Sequence, residues 1–248
     1  MNIWGLAGAA VGMAGLAVAG TNFVRGRMAI QSHVKVYAEH WGLHPDEAPD
    51  DALRYVALGD SAAQGVGASS VDKSYVSLLG ARLAEQSGRP VVITNLSVSG
   101  AASDDLVRDQ LDKFEKLPFE PDLVTMAIGG NDVVFPRCTL DSFTTSMNTI
   151  LGALPAGSYV GDVPWFTVPG LAQQSTKMAQ RAAELVEGSD HHLVPIHHAS
   201  RELGYLKYFS NVAGDLFHPN DIGYAKWARV FWQVIEQTSG LERWVRAA

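Results

Sequence analysis

Along most of the chain, short apolar runs alternate with longer segments in which apolar residues recur at helical spacing. The runs that predict strands are Leu53–Gly59, Val91–Leu96, Leu123–Ile128, Ser158–Val163 and His192–Pro195. The segments that predict helices are Tyr75–Gln86, Ser103–Lys116, Leu171–Val186 and Asp221–Thr238. Strands that alternate with helices in this way are typical of a parallel sheet covered by helices on both faces. The pattern therefore predicts an α/β protein.

The N-terminus departs from this pattern because it is one continuous apolar segment. Residues 1–24 carry no charged side chain, and Arg25 and Arg27 follow directly. A helix of about 20 apolar residues can cross the hydrocarbon core of a bilayer, and cations often flank such a helix. We expect an N-terminal apolar helix, with residues 3–24 as a membrane anchor at a bacterial cell membrane, on a side that the sequence leaves undecided. The alternatives are a cleaved signal peptide, which would give a secreted form, and a helix packed on the domain.

We expect three parts: the apolar segment 1–27, a polar connector over 28–52, and one domain over 53–248. The chain has 248 residues, 47% of them hydrophobic, which is enough for one sizeable core. Its net charge of −7 argues against nucleic acid as a partner, because phosphates would be repelled. A single cysteine excludes an intrachain disulfide.

Small and polar residues follow three of the predicted strands and recur near the C-terminus. The four groups are Gly59–Gly65 with its Gly-Asp-Ser start, Asn95–Ala101 with Gly100, Gly129–Asp132 with Asn131, and Asp215–Asn220 with His218. Each group alone has an ordinary explanation as a helix cap or a turn. Parallel strands, however, end at one edge of the sheet, where ligand sites form. Together the groups supply a hydroxyl, an imidazole, a carboxylate and several hydrogen-bond donors, which are the parts of an acyl-transfer site.

In this order, the four groups resemble those of the SGNH hydrolases, also called GDSL esterases and lipases. The resemblance covers roughly Leu53 to Val234 and implies a flavodoxin-like, three-layer α/β/α sandwich. It implies that Ser61 is the nucleophile, His218 the general base and Asp215 the carboxylate that orients the imidazole. It also implies an oxyanion hole made by the backbone N–H groups of Ser61 and Gly100 and by the side-chain amide of Asn131.

One position departs from the family pattern. The residue after the serine is usually leucine, and here it is Ala62, a change that would widen the pocket beside Ser61. An apolar lining for an acyl group would suit Ala62, Val133, Val134 and Phe217, although core packing explains the last three equally well.

The expected activity is hydrolysis of a small-molecule or lipid carboxylic ester through an acyl-serine intermediate, without cofactor or metal. The pairs His191-His192 and His197-His198 stand in no recognisable carboxylate or cysteine ligand pattern, and adjacent histidines of a strand would point to opposite faces. Two alternatives remain open: an acyltransferase that uses the same triad, and a non-catalytic, membrane-tethered binding module on the same fold.

Overall fold

A computed structural model describes residues 30–42, 49–202, 204–238 and 244 of the chain. The predicted apolar helix and membrane anchor within residues 1–27 lie outside this range. Within the described ranges, no helix combines the length and the apolar character needed to cross a membrane.

The centre of the fold is a sheet of five parallel strands in the order β2-β1-β3-β4-β5. The strands are β1 (Leu53–Gly59), β2 (Val91–Asn95), β3 (Leu123–Ala127), β4 (Tyr159–Gly161) and β5 (His192–Val194). The middle of β1 pairs on both sides, since Tyr55 lies opposite Ile93 of β2 and Leu123 of β3. All five predicted strands are present, and their parallel pairing brings their C-terminal ends to one edge.

The described helices are α1 (30–42), α2 (Ser61–Gln64), α3 (Tyr75–Ser87), α4 (Ser103–Asp109), α5 (Leu111–Glu115), α6 (Gly130–Val134), α7 (Leu140–Ala153), α8 (Pro169–Glu187), α9 (Ile196–Arg201), α10 (Gly204–Tyr208) and α11 (Asp221–Thr238). A 3-10 turn, Val71–Lys73, precedes α3.

Strand β1 shows how the layers are built. Successive side chains of a strand point to opposite faces. Tyr55 and Ala57 are buried in the core shared with α3 and α11, whereas Val56 and Leu58 are buried in the core shared with α4, α5, α7 and α8. The helices therefore cover both faces, and the predicted three-layer α/β/α architecture is confirmed.

Two helical segments differ from the predicted pattern. The predicted helix Ser103–Lys116 is divided into α4 and α5 at Gln110, whose buried side chain makes two hydrogen bonds with the backbone of Gly59. Helix α7 was not predicted, although its buried residues Phe143, Met147 and Ile150 follow helical spacing. Its many Thr and Ser residues obscured that pattern.

The segment predicted as a polar connector contains helix α1. Ile30 and Tyr37 of this helix are buried against Val66 and Val71. The hydroxyl of Tyr37 donates to the carbonyl of Ala68 at 2.7 Å. Helix α1 thus packs on the loop that follows α2. The predicted division of the chain into three parts stays a prediction.

Candidate active site

Ser61 lies where β1 passes directly into α2. Gly59 has φ +145°, and a Cβ there would lie 2.1 Å from the carbonyl oxygen of Ala127 on the neighbouring strand, so the turn requires glycine. Asp60 caps the helix, because its Oδ1 accepts from the N–H of Ala62 at 2.8 Å. Ser61 is therefore the first residue of a short helix at the carboxyl edge of the sheet.

His218 and Asp215 reach Ser61 from the loop that precedes α11. The Ser61 hydroxyl donates to His218 Nε2 across 2.8 Å, and His218 Nδ1 donates to Asp215 Oδ2 across 2.6 Å. The side chains of His218 and Asp215 are only 13% and 11% exposed. The structure thus brings together the three residues that the sequence singled out, in a continuous chain of hydrogen bonds.

A tight turn fixes Asp215 relative to His218. The Oδ1 atom of Asp215 accepts from the backbone N–H groups of both Phe217 and His218 at 3.1 Å. Leu216 between them has φ +60°, a left-handed conformation that is uncommon for leucine. Burial alone would raise the pKa of Asp215, but the hydrogen bond and charge of His218 and the two N–H groups outweigh it and lower that pKa. The carboxylate is therefore held in its charged form.

The three predicted oxyanion donors lie on three neighbouring strand ends. Among the described residues, neither the N–H of Ser61 nor that of Gly100 has a hydrogen-bond acceptor. Gly100 has φ +83°, and a Cβ there would meet no atom within 4 Å, so the space beside it is open. Asn131 is 7% exposed, and its Nδ2 donates to the carbonyl of Ala101 at 2.9 Å. This bond connects α6 to the loop that carries Gly100.

Two carboxyl groups beneath the site act as caps. Desolvation raises the pKa of buried Asp60 to about 6, against the opposing hydrogen bond from Ala62 and the charge of His218. Asp132 accepts from the N–H and the hydroxyl of Ser103 and so holds the start of α4, and burial raises its pKa as well.

The Ser61 hydroxyl opens into a cleft of about 770 Å³, counted with its open mouth. Five aromatic side chains form much of its wall: Trp165, Phe166, Tyr208, Phe217 and Trp227. Ala62 also lines the cleft, as expected. Val133 and Val134 do not: Val133 is buried in the core beside the sheet, and Val134 is 40% exposed on the surface.

Sequence reasoning missed several residues of this cleft. Asp162, directly after β4, is 7% exposed, and its Oδ1 accepts from the N–H of His197 at 2.6 Å. Burial raises the pKa of Asp162 to about 7, against the lowering effect of backbone hydrogen bonds from His197 and Ile196. Its position after a strand end was a usable signal. Tyr208, Lys226 and Trp227 gave no comparable signal, because only the packing of helices α10 and α11 brings them to the cleft.

Comparison with family models identifies the class of protein. The model described as the GDSL-like lipase/acylhydrolase family matches residues 57–226, more than half of the chain. The chain belongs to this family, whose members are ester hydrolases, and the resemblance to SGNH hydrolases is confirmed. Comparison with curated protein sequences gave no match.

Solved structures share the fold at low sequence identity. LAE5, described as an alpha/beta hydrolase enzyme from the metagenome of Lake Arreo in Spain, is 24% identical, with a TM-score of 0.60 over 75% of this chain and 96% of that one. The lipase/acylhydrolase from Enterococcus faecalis is 17% identical, with a TM-score of 0.61 over 75% and 96%. The acetylxylan esterase Axe2 from Geobacillus stearothermophilus is 20% identical, with a TM-score of 0.59 over 79% and 97%.

Proposed function

We propose that this protein hydrolyses carboxylic esters through an acyl-serine intermediate on Ser61. The observation that carries the proposal is the hydrogen-bond chain from Asp215 through His218 to the Ser61 hydroxyl. Family membership supports the same class of reaction.

In the first half of the reaction, the Ser61 oxygen attacks the ester carbonyl carbon. His218 Nε2 accepts the serine proton, since a neutral hydroxyl is a poor nucleophile without a base at hydrogen-bond distance. The carbonyl oxygen becomes negatively charged, and the N–H groups of Ser61 and Gly100 and the amide of Asn131 stabilise it. When the tetrahedral intermediate collapses, the imidazolium returns its proton to the departing alcohol.

In the second half, water attacks the carbonyl carbon of the acyl-serine, and His218 takes a proton from the water. When this second intermediate collapses, the bond to the Ser61 oxygen breaks, the imidazolium returns its proton to that oxygen, and the carboxylic acid leaves. Asp215 keeps the Nδ1 proton of the imidazole in place and stabilises the imidazolium that forms in each half. The lowered pKa of Asp215 supports this role, because the carboxylate stays charged at neutral pH.

The walls of the cleft favour an uncharged, largely apolar acyl or alkyl group. Its aromatic side chains offer a large apolar surface close to Ser61. Ala62 directly follows the proposed nucleophile, Phe217 directly precedes the proposed base, and both line the cleft. We assign both to substrate contact.

We also propose that the apolar segment over residues 3–24 tethers the enzyme to a membrane. The support is the absence of charged side chains in residues 1–24, together with the two arginines that follow.

The test compares two serines of the same cleft, Ser61 and Ser200. Ser61→Ala should abolish both hydrolysis of p-nitrophenyl esters and labelling by a fluorophosphonate. Ser200→Ala is the matched control: the hydroxyl of Ser200 donates to the carbonyl of Ile196 at 2.7 Å, and labelling should persist without it. Labelling of the Ser61→Ala protein, or no labelling of the unchanged enzyme, would refute the proposal. Faster release of p-nitrophenol with added alcohol, accompanied by a new ester product, would instead identify an acyltransferase.

A further inference from the structure

Gln64 lies between the serine helix and the loop that carries Gly100. It is the last residue of α2, three positions after Ser61, and is 5% exposed. Its Nε2 donates to the carbonyl of Ser97 at 2.8 Å, and its Oε1 accepts from the hydroxyl of Ser99. One amide thus uses its donor and its acceptor on two residues of the same loop.

The loop that these bonds hold leads directly to Gly100. After β2 ends at Asn95, backbone hydrogen bonds connect Leu96 to Ala57 and Val98 to Gly59. Beyond Val98, the Ser99 hydroxyl is bound to Gln64, and the N–H of Gly100 has no acceptor among the described residues. The side chain of Gln64 therefore provides a direct connection between Ser61's helix and the residue before Gly100.

An oxyanion hole requires this kind of connection. Its donors must be placed at about 2.7–3.1 Å from one oxygen before the reaction begins, and the three proposed donors here lie on three different segments. Loops hold such positions less accurately than helices and strands unless other side chains fix them. Because Gln64 belongs to the same four-residue helix as Ser61, it fixes the loop relative to the nucleophile itself.

We infer that Gln64 is a positioning residue that aligns the N–H of Gly100 with that of Ser61 in the oxyanion hole. The inference rests on the proposed function. The side chain of Gln64 does not line the cleft and makes its hydrogen bonds with Ser97 and Ser99, not with the side chains of the triad. Glutamine suits the position, since it offers both a donor for Ser97 and an acceptor for Ser99, and a shorter or purely apolar side chain does not.

The first variant is Gln64→Met, which keeps the length of the side chain and removes both hydrogen bonds. The expected result is a fall in kcat of about 10- to 100-fold with KM changed less than threefold, since misalignment weakens one donor that acts mainly in the transition state. The rate of fluorophosphonate labelling should fall with kcat, while the shape of the pH profile stays the same. Thr125→Val is the matched control, since it removes a buried hydrogen bond to Tyr55 within the sheet. It should lower thermal stability without lowering kcat.

The second variant, Ser99→Ala, removes only the bond to Oε1 and changes a half-buried hydroxyl, so it tests the inference even where Gln64→Met folds poorly. Its kcat should fall by a smaller factor. The double variant should be no slower than Gln64→Met alone, because both substitutions act through one contact.

Unchanged kcat in both single variants, or losses that multiply in the double variant, would overturn the inference. If the unchanged enzyme is not labelled at Ser61, both the proposed function and the role of Gln64 are refuted. If the unchanged enzyme is labelled and the Gln64→Met variant is labelled at the same rate, only the role of Gln64 is refuted.

Discussion

Replacing Asn131 with alanine tests the oxyanion hole most directly. The amide of Asn131 has two hydrogens, and one of them is bound to the carbonyl of Ala101. Under the proposed mechanism, the other stabilises the oxyanion. Removing one such donor typically costs about 2.7–4 kcal/mol in the transition state, so kcat should fall by roughly 10²–10³. KM should change little, because the carbonyl oxygen gains its charge only as the bond forms.

The same substitution has a structural cost that must be separated from the catalytic one. It leaves the carbonyl of Ala101, a residue only 3% exposed, without its partner from Asn131. A buried polar group left unpaired costs about 1–3 kcal/mol. In a protein of this size each kcal/mol shifts Tm by roughly 2–4 °C, so a fall of several degrees is expected.

The hydrogen bond between Asn131 and Ala101 also decides which control variant is suitable. Asn131→Asp cannot distinguish the two roles, since a carboxylate neither donates to Ala101 nor stabilises an oxyanion. Tyr55→Phe is a better match, because it removes a buried hydrogen bond of 2.8 Å to Thr125. It should lower Tm without lowering kcat.

The assay is kcat and KM on a p-nitrophenyl ester, at least 15 °C below the lower Tm of the two variants, with Tm measured on the same samples. The oxyanion role is refuted if the kcat of Asn131→Ala lies within threefold of that of Tyr55→Phe. A rise in KM at constant kcat would instead mean that Asn131 binds the ground state.

Three other substitutions test the triad, a buried acid and the cleft. Asp215→Asn should lower kcat by about 10³–10⁴ with little change in KM, since the imidazole loses its orienting carboxylate; a loss below tenfold contradicts that role. Asp162 has a pKa of about 7 in the folded state, above its usual 3.8, so the native state holds a proton that the unfolded state releases. The free energy of unfolding should therefore decrease as pH rises from about 4 to 7, by up to about 4 kcal/mol from this group. Over that pH range the Tm of Asp162→Asn should fall less than the Tm of the unchanged protein. An equal fall would contradict the raised pKa of Asp162. Ala62→Leu should reduce activity on long acyl esters more than on acetate, and equal reductions would show that Ala62 does not limit acyl length.

The strands and the site residues were predictable because each depends on local sequence. A buried parallel strand needs a short apolar run, and β1 and β3 supply one each. Parallel pairing then places the residue groups after β1, β2 and β3 at the same edge, wherever they stand in the chain. For this reason Ser61, Gly100 and Asn131 could be assigned to one site from sequence alone, and the family resemblance added their roles.

The walls and supports of the site were not predictable because they depend on packing between distant segments. In the sequence, Gln64 looks like an ordinary polar residue of a helix. Its role depends on the loop after β2, because Ser97 and Ser99 of that loop are its hydrogen-bond partners. Lys226 and Trp227 belong to a helix whose face toward the cleft is decided by its packing. Val133 and Val134 show the same dependence on packing: they are close to Asn131 in sequence, yet Val133 is buried in the core, Val134 is exposed, and neither lines the cleft.

Helix α1 lies outside the region of the family match and yet contacts the helix that begins with Ser61. The indole N–H of Trp41 donates to the carbonyl of Gln64 at 3.0 Å, and Ile30 and Tyr37 are buried against the loop after α2. Burial of those two side chains contributes roughly 3–6 kcal/mol before the entropy of ordering the helix is subtracted. A chain that begins at residue 27 should therefore keep its kcat and Tm and, if residues 3–24 form a tether, move from the membrane fraction to the soluble one. A chain that begins at residue 49 should lose several degrees of Tm and part of its kcat, because α2 loses its support. Equal Tm and kcat in the two shortened chains would mean that α1 does not support α2, and recovery of the chain that begins at residue 27 in the membrane fraction would contradict the tether.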